Sequence, residues 1–204
     1  MRVFVVGASG AIGSRLVPQL LHRRHQVIGT SRSAANVGRI RALGAKPIAL
    51  DLLDPQAVRN AVRETEPDAI VHQATALADL SDFKHFDRSF AQTNRLRTEG
   101  TDTLLSAARE AGVRRLVAQS YASVRYERVG GPVKTEDDPL DPAPVAAMRE
   151  TIAAMRHLDD AVTARWRSSG QRIGGRRPRA QRTAACRSPR FGAGWSGRSC
   201  GRSA

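Results

Sequence analysis

Cysteine is missing from the first 164 of the 204 residues; the two present, Cys186 and Cys200, both lie near the end. That excludes a disulfide framework or a cysteine metal site in the part of the chain able to fold, and no metal site is expected. Acid is missing from the same end. Beyond Ala164 there is no Asp, Glu or Lys, while 11 arginines supply most of the net charge of +14. The first 164 residues therefore keep only +3 (14 less 11), too little to argue for a nucleic-acid partner. No apolar run reaches the roughly 18 residues of a membrane span, so no membrane partner is expected. The first apolar run breaks at Gly7 and continues into a helical pattern, which does not fit a signal peptide. A cytoplasmic location is the resulting expectation. Nothing repeats at a fixed period.

What is present fits one globular domain with some chain to spare: 41% hydrophobic and 25% charged residues over 204 positions. Short apolar runs alternate with longer amphipathic ones. "VFVV" (3–6), "QVIGT" (26–30), "KPIAL" (46–50), "DAIVHQ" (68–73) and "RRLVAQS" (114–120) read as strands. Helices are expected over 11–24, where Pro18 should cost a backbone bond, and from Asp54-Pro55, an N-cap acid before a first-turn proline. Two more are expected over 98–113, closing near Gly112, and over 146–162. Residues 127–146, rich in proline, glycine and acids, read as a loop. Strands alternating with helices predict a parallel sheet covered on both faces.

From Arg165 onward leucine and valine vanish, and Ile173 is the sole aliphatic residue larger than alanine. Such a stretch cannot bury enough apolar surface to offset its conformational entropy. The expected organisation is a domain over 1–163 and a disordered Arg/Gly/Ser-rich tail over 164–204.

Between the first strand and first helix, "GASGAIG" spaces glycines at 7, 10 and 13. Gly7 can leave the strand in a tight turn, Gly10 can admit a pyrophosphate, and Gly13 can let the helix pack closely. The spacing is a variant of the dinucleotide fingerprint, and a plain glycine turn between buried elements is the alternative. An NAD site usually carries an acid near the end of the second strand, yet residues 14–50 contain none. Arg32, among Thr30, Ser31 and Ser33, suits a 2′-phosphate instead and points to NADP, with NAD possible and a plain surface arginine the alternative.

"VVGASGAIGSRLV", "ALDLLDPQAV", "PDAIVHQAT" and "GTDTLLSAAREAGVRRLVAQS" follow one another in this order. Over roughly residues 2–162 the chain thereby resembles the extended short-chain dehydrogenase/reductases, the NAD-dependent epimerase/dehydratase-like proteins. The resemblance implies a Rossmann-type doubly wound α/β fold with strand order 3-2-1-4-5. It implies that Gly7, Ser9, Gly10, Ala11 and Ile12 line the pyrophosphate. Asp51 and Leu52 should sit at the adenine, and Gln73 and Ala74 beside the nicotinamide half. Asp51 could equally be a strand-end turn residue.

The chain also departs from that family. The family's chemistry uses a Tyr-x-x-x-Lys pair, in which the lysine lowers the phenol's pKa for proton transfer. No such pair exists in any register. Tyr121, beside Ser120, and Tyr126 remain as lone acids or as packing aromatics. Three residues before Gly100-Thr101, where the family has an asparagine, stands Arg97, and Asn94 lies one turn earlier. Extended members continue into a sixth strand and a substrate region. Here the arginine-rich tail follows, with the composition of a GC-rich gene read out of frame; a basic nucleic-acid-binding tail is the alternative. The expected function is NADP binding, in a family whose intact members are oxidoreductases or epimerases of small carbonyl or sugar-like substrates. The alternatives are a non-catalytic dinucleotide-sensing module and a nucleic-acid-associated protein using the tail.

Overall fold

The computed structural model describes residues 1–77, 85–121, 126–127, 129–131, 133–135 and 138–165. The tail anticipated from residue 164 falls outside them beyond residue 165.

Five strands, β1 (Arg2–Val6), β2 (Gln26–Ser31), β3 (Lys46–Ala49), β4 (Ala69–His72) and β5 (Arg115–Ala118), form one sheet ordered β3-β2-β1-β4-β5. All pairings are parallel, so strand order and direction agree with the reading of the sequence. β1 takes the centre because it is apolar after its first residue: Val5 lies opposite Gly29 on one side and Val71 on the other. Successive side chains of a strand point to opposite faces. Phe4 and Val6 enter one core with Val58, Val62, Leu104 and Leu105, while Val3 and Val5 enter another with Val17 and Ile40.

Helices α1 (Gly13–His22) and α2 (Ala35–Ala42) cover the second face. Helices α3 (Pro55–Thr65) and α5 (Thr101–Glu110) cover the first. α3 starts as its sequence requires. Asp54 Oδ1 accepts from the backbone N–H groups of Gln56 and Ala57, at 3.0 Å each, and Pro55 occupies the first turn.

The helix expected over 98–113 is corrected in detail. Residues Leu96–Gly100 form a π turn that joins α4 (Phe86–Arg95) to α5, and the chain turns at Gly112 with φ +67°. The π turn seats Gly100 against Leu52, where a Cβ would lie 2.9 Å from Cδ2. The last helix is likewise divided. A 3-10 turn (Ala146–Met148) leads into α6 (Arg149–Asp160), and a second π turn (Ala161–Arg165) follows.

α6 has no cap of its own. Asp87 on α4 supplies one: its carboxylate accepts from Thr151 N–H at 3.1 Å, from Thr151 Oγ1 at 2.8 Å and from Glu150 N–H at 3.3 Å. A carboxylate at a helix N-terminus satisfies otherwise unpaired donors and opposes the helix dipole. Among the described residues, no helix is long and apolar enough to cross a membrane.

Candidate functional site

At the C-terminal end of β1 the chain turns at Gly7 with φ +81°, a conformation that favours glycine. A Cβ at Gly7 would lie 2.9 Å from Ala74 N and Cα and from the Gln73 carbonyl carbon. The turn is thus pressed against the end of β4. At Gly13 a Cβ would fall 2.3 Å from Gly7 O and 2.7 Å from Ala8 Cα, which allows α1 to start directly on the turn. Gly10 differs. Its Cβ would meet only Gly7 O, at 3.3 Å, and the residue is exposed.

The loop is tied down by Ala8 N–H to Thr30 O at 3.0 Å, by Gly10 N–H to Gly7 O at 3.1 Å and by Ser9 Oγ to Ser31 Oγ at 3.2 Å. The N–H groups of Ala11, Ile12 and Gly13 have no backbone acceptor among the described residues. Ile12 is about half exposed at the start of α1, and Ala11 is exposed. Unpaired N–H groups at a helix start, beside a glycine open to solvent, fit a phosphate group.

On one flank, Arg32 is exposed immediately after β2, one residue beyond the Ser31 that holds Ser9. Asp51, also exposed, follows β3. Its Oδ1 accepts from Leu53 N–H at 2.9 Å, so the carboxylate closes a local turn. Leu52 is buried in the core, which leaves its backbone as the part available to a ligand. The structure therefore gathers Gly7, Ser9, Gly10, Ala11, Ile12, Gly13 and Arg32 along one edge of the sheet. Gln73 and Ala74 join them through the Gly7 contact.

The other flank is polar and buried, and there the sequence foretold least. His72 closes β4 and is fully enclosed. Burial pushes its pKa down to about 4, against the Leu96 carbonyl, which favours the proton, and with help from the Arg97 charge. The ring is therefore neutral. Its Nδ1 faces Ala74 N–H at 3.4 Å, while Nε2 has no partner of hydrogen-bonding geometry. Ala76 N–H donates to Thr93 Oγ1 at 3.0 Å, and Asn94 Nδ2 donates to Thr151 Oγ1 at 3.0 Å.

Arg97 is 6% exposed, on the π turn. Burial lowers its pKa, while Asp159 and Tyr121 favour its charge. Ser120, partly buried, and Tyr121, 48% exposed, follow β5, where Gln119 N–H still bonds His72 O at 3.0 Å. Tyr121 thus approaches the Arg97 side of the site. Tyr126 does not share its exposure: it is 9% exposed and bridges Leu140 in an isolated antiparallel pair. Sequence reasoning noticed Arg97 and Asn94 only as departures from a family, and passed over His72, Thr93, Thr151 and Asp87. The signal available was a polar stripe at 93, 94 and 97, spaced for one helix face.

A parallel sheet ordered 3-2-1-4-5, with a glycine turn leading from the central strand into a helix, defines a dinucleotide-binding α/β domain. The pattern of the NAD dependent epimerase/dehydratase family matches residues 3–178, and the chain belongs to that family. A 3-diazoavenalumate denitrifying reductase from a Streptomyces species is 44% identical over 163 residues, 79% of this chain and 51% of the reductase. Among solved structures, the UDP-glucose 4-epimerase of Thermus thermophilus, complexed with NAD, superposes with a TM-score of 0.68 at 26% identity. The match covers 85% of this chain and 53% of that one. The dTDP-glucose 4,6-dehydratase of Streptomyces venezuelae, with NAD bound, superposes with a TM-score of 0.65 at 29% identity, covering 85% and 54%. The chain spans about half the length of these relatives.

Proposed function

We propose that this domain holds a nicotinamide dinucleotide across the C-terminal edge of its sheet, NADP(H) in preference to NAD(H), as the cofactor half of a reductase. The observation that carries the reading is the glycine turn packed on the end of β4, with N–H groups unpaired at the start of α1. In this reading those N–H groups of Ala11, Ile12 and Gly13 receive the pyrophosphate. Arg32 takes the 2′-phosphate, in a stretch without a single acid from Ser14 to Leu50. Gln73 and Ala74 border the nicotinamide half, and Asp51 and Leu52 the adenine. Similarity to a reductase at 44% identity favours a reductive role over epimerisation.

When bound, the cofactor supplies or accepts a hydride at its nicotinamide ring. Tyr121, with Ser120 beside it, is the side chain this chain offers for a proton. Titration calorimetry tests the cofactor reading: NADPH should bind more tightly than NADH at equal salt. Equal affinities would remove Arg32 from the site.

One observation favours a second reading, binding without turnover: no Tyr-x-x-x-Lys pair stands anywhere in the 204 residues. A phenol without a neighbouring lysine has a pKa of about 10 and is a poor base at neutral pH. The chain as given should therefore turn over a panel of carbonyl and sugar-nucleotide substrates negligibly, and Tyr121→Phe should change no rate. Sustained turnover that disappears in Tyr121→Phe or Tyr126→Phe would restore the catalytic reading.

A further inference from the structure

Arg97 sits in an expensive position. Its Nη1 is fully enclosed and has no hydrogen-bond partner among the described residues, while Asp159 favours its charge. A buried guanidinium with an unsatisfied N–H is costly, so such groups are rare unless a partner arrives from outside. Two buried acceptors, Gln73 Oε1 and Asn94 Oδ1, also lack partners among the described residues, while the His72 ring has the Leu96 carbonyl beside it. The ring is neutral, so Arg97 is the one fixed charge among these groups.

The place is informative too. Arg97 helps lower the pKa of His72, at the end of β4, and Tyr121, just beyond β5, favours the charge of the arginine. In open parallel sheets, ligands enter at the carboxyl ends of the strands. Tyr121 is half exposed to solvent. A carboxylate would supply one negative charge and a planar pair of acceptors for the guanidinium.

We propose that Arg97 is the anchor of a substrate subsite that takes a carboxylate, so that the substrate is a small carboxylic acid entering beside Tyr121. This rests on the reading of the chain as a cofactor domain of a reductase. Asn94, one turn before Arg97, is held by Thr151 and through it by Asp87.

The test uses the full 204-residue chain, saturated with NADPH, and benzoate as the probe, with benzamide as its neutral counterpart. Binding is followed by ligand-observed NMR titration. Benzoate should bind at least about tenfold more tightly than benzamide, since a charge-assisted contact justifies a factor of that size. Arg97→Gln should reduce benzoate to the benzamide level, with Arg97→Lys between the two. NADPH affinity should stay within about twofold in Arg97→Gln, because the guanidinium is not placed at the cofactor's phosphates.

The melting temperature of Arg97→Gln and Arg97→Met should equal or exceed that of the parent, because a buried guanidinium with an unsatisfied N–H has been removed. Equal binding of benzoate and benzamide, or undiminished benzoate binding in Arg97→Gln, would overturn the proposal. So would a lower melting temperature in both variants, which would make the arginine structural. Loss of NADPH affinity without a change in benzoate would assign the charge to a cofactor phosphate and likewise overturn it. The benzoate titration is repeated without cofactor, so that a failure of dinucleotide binding counts against the earlier reading alone.

Discussion

Two glycines of one loop, three residues apart, should fail in opposite ways. Gly13→Ala places a methyl group 2.3 Å from Gly7 O and 2.7 Å from Ala8 Cα, both backbone atoms of the turn. Ordinary contact begins at 3.4 Å, so the turn and the helix start must separate by about 1 Å to restore close packing. Neither moves freely: Ala8 is bonded to Thr30, and Gly7 is wedged against Ala74. Forcing an extra carbon into a packed site costs about 1–3 kcal/mol, offset in part by up to about 1 kcal/mol of better helix propensity. A net loss of about 1–2 kcal/mol lowers the melting temperature of a domain this size by about 2–8 °C.

Gly10→Ala meets only Gly7 O, at 3.3 Å, and should leave the melting temperature within about 1–2 °C. Its methyl group, and still more the branched side chain of Gly10→Val, would occupy the approach of the pyrophosphate, so dinucleotide binding should vanish from a stable protein. Thermal unfolding and calorimetric titration on the same samples separate the two outcomes. A Gly13→Ala protein as stable as the parent, or a Gly10→Val protein that binds both dinucleotides normally, would refute the assignment of packing to one glycine and ligand approach to the other.

Three further outcomes are expected. Arg32→Ala should erase most of the preference for NADPH, on the order of tenfold, since a charge-assisted contact is worth roughly 1.5–3 kcal/mol; an unchanged ratio in calorimetry would exclude the contact. Asp87→Ala should destabilise the fold by about 1–2 kcal/mol in urea, through loss of the cap on α6, whereas a neutral result would mean that α6 needs no cap. His72 has a folded pKa of about 4 against 6.5, so below pH 6.5 the unfolded chain binds a proton that the folded chain does not. Stability should therefore fall as pH drops from about 6.5 to 4, by about 2 kcal/mol already at pH 5, and His72→Asn should flatten that slope in urea titrations at each pH.

The sheet was legible because its strands are short, apolar and separated by amphipathic runs, and because a parallel sheet with both faces covered demands that pattern. The cap of α3 could be read from Asp54-Pro55 alone, since capping is a local bond. α2 and α4 were not legible. α2 buries a single large residue, Ile40, and contains Gly38. α4 turns Thr93 and Asn94 inward, so its buried side carries no apolar periodicity. The π turn at Leu96–Gly100 was hidden for a different reason: it brings Gly100 against Leu52, a residue far away in the chain. In the site, the glycine loop was visible because backbone geometry restricts residue type there. The His72, Asn94 and Arg97 group was not, because its meaning lies in burial, and a sequence shows an arginine without showing that water has been excluded from it.

The cap that Asp87 provides for α6 joins two stretches 64 residues apart, and this bears on how the protein opens. The first amides of a helix usually exchange with solvent by local fraying, independent of the rest. Here the amides of Glu150 and Thr151 point at a carboxylate on another helix. They can be released only when α4 and α6 part. Hydrogen exchange at the start of α6 should therefore report the undocking of a helix pair, in step with the inner amides of α4, and that opening would expose Asn94 and Thr151 together.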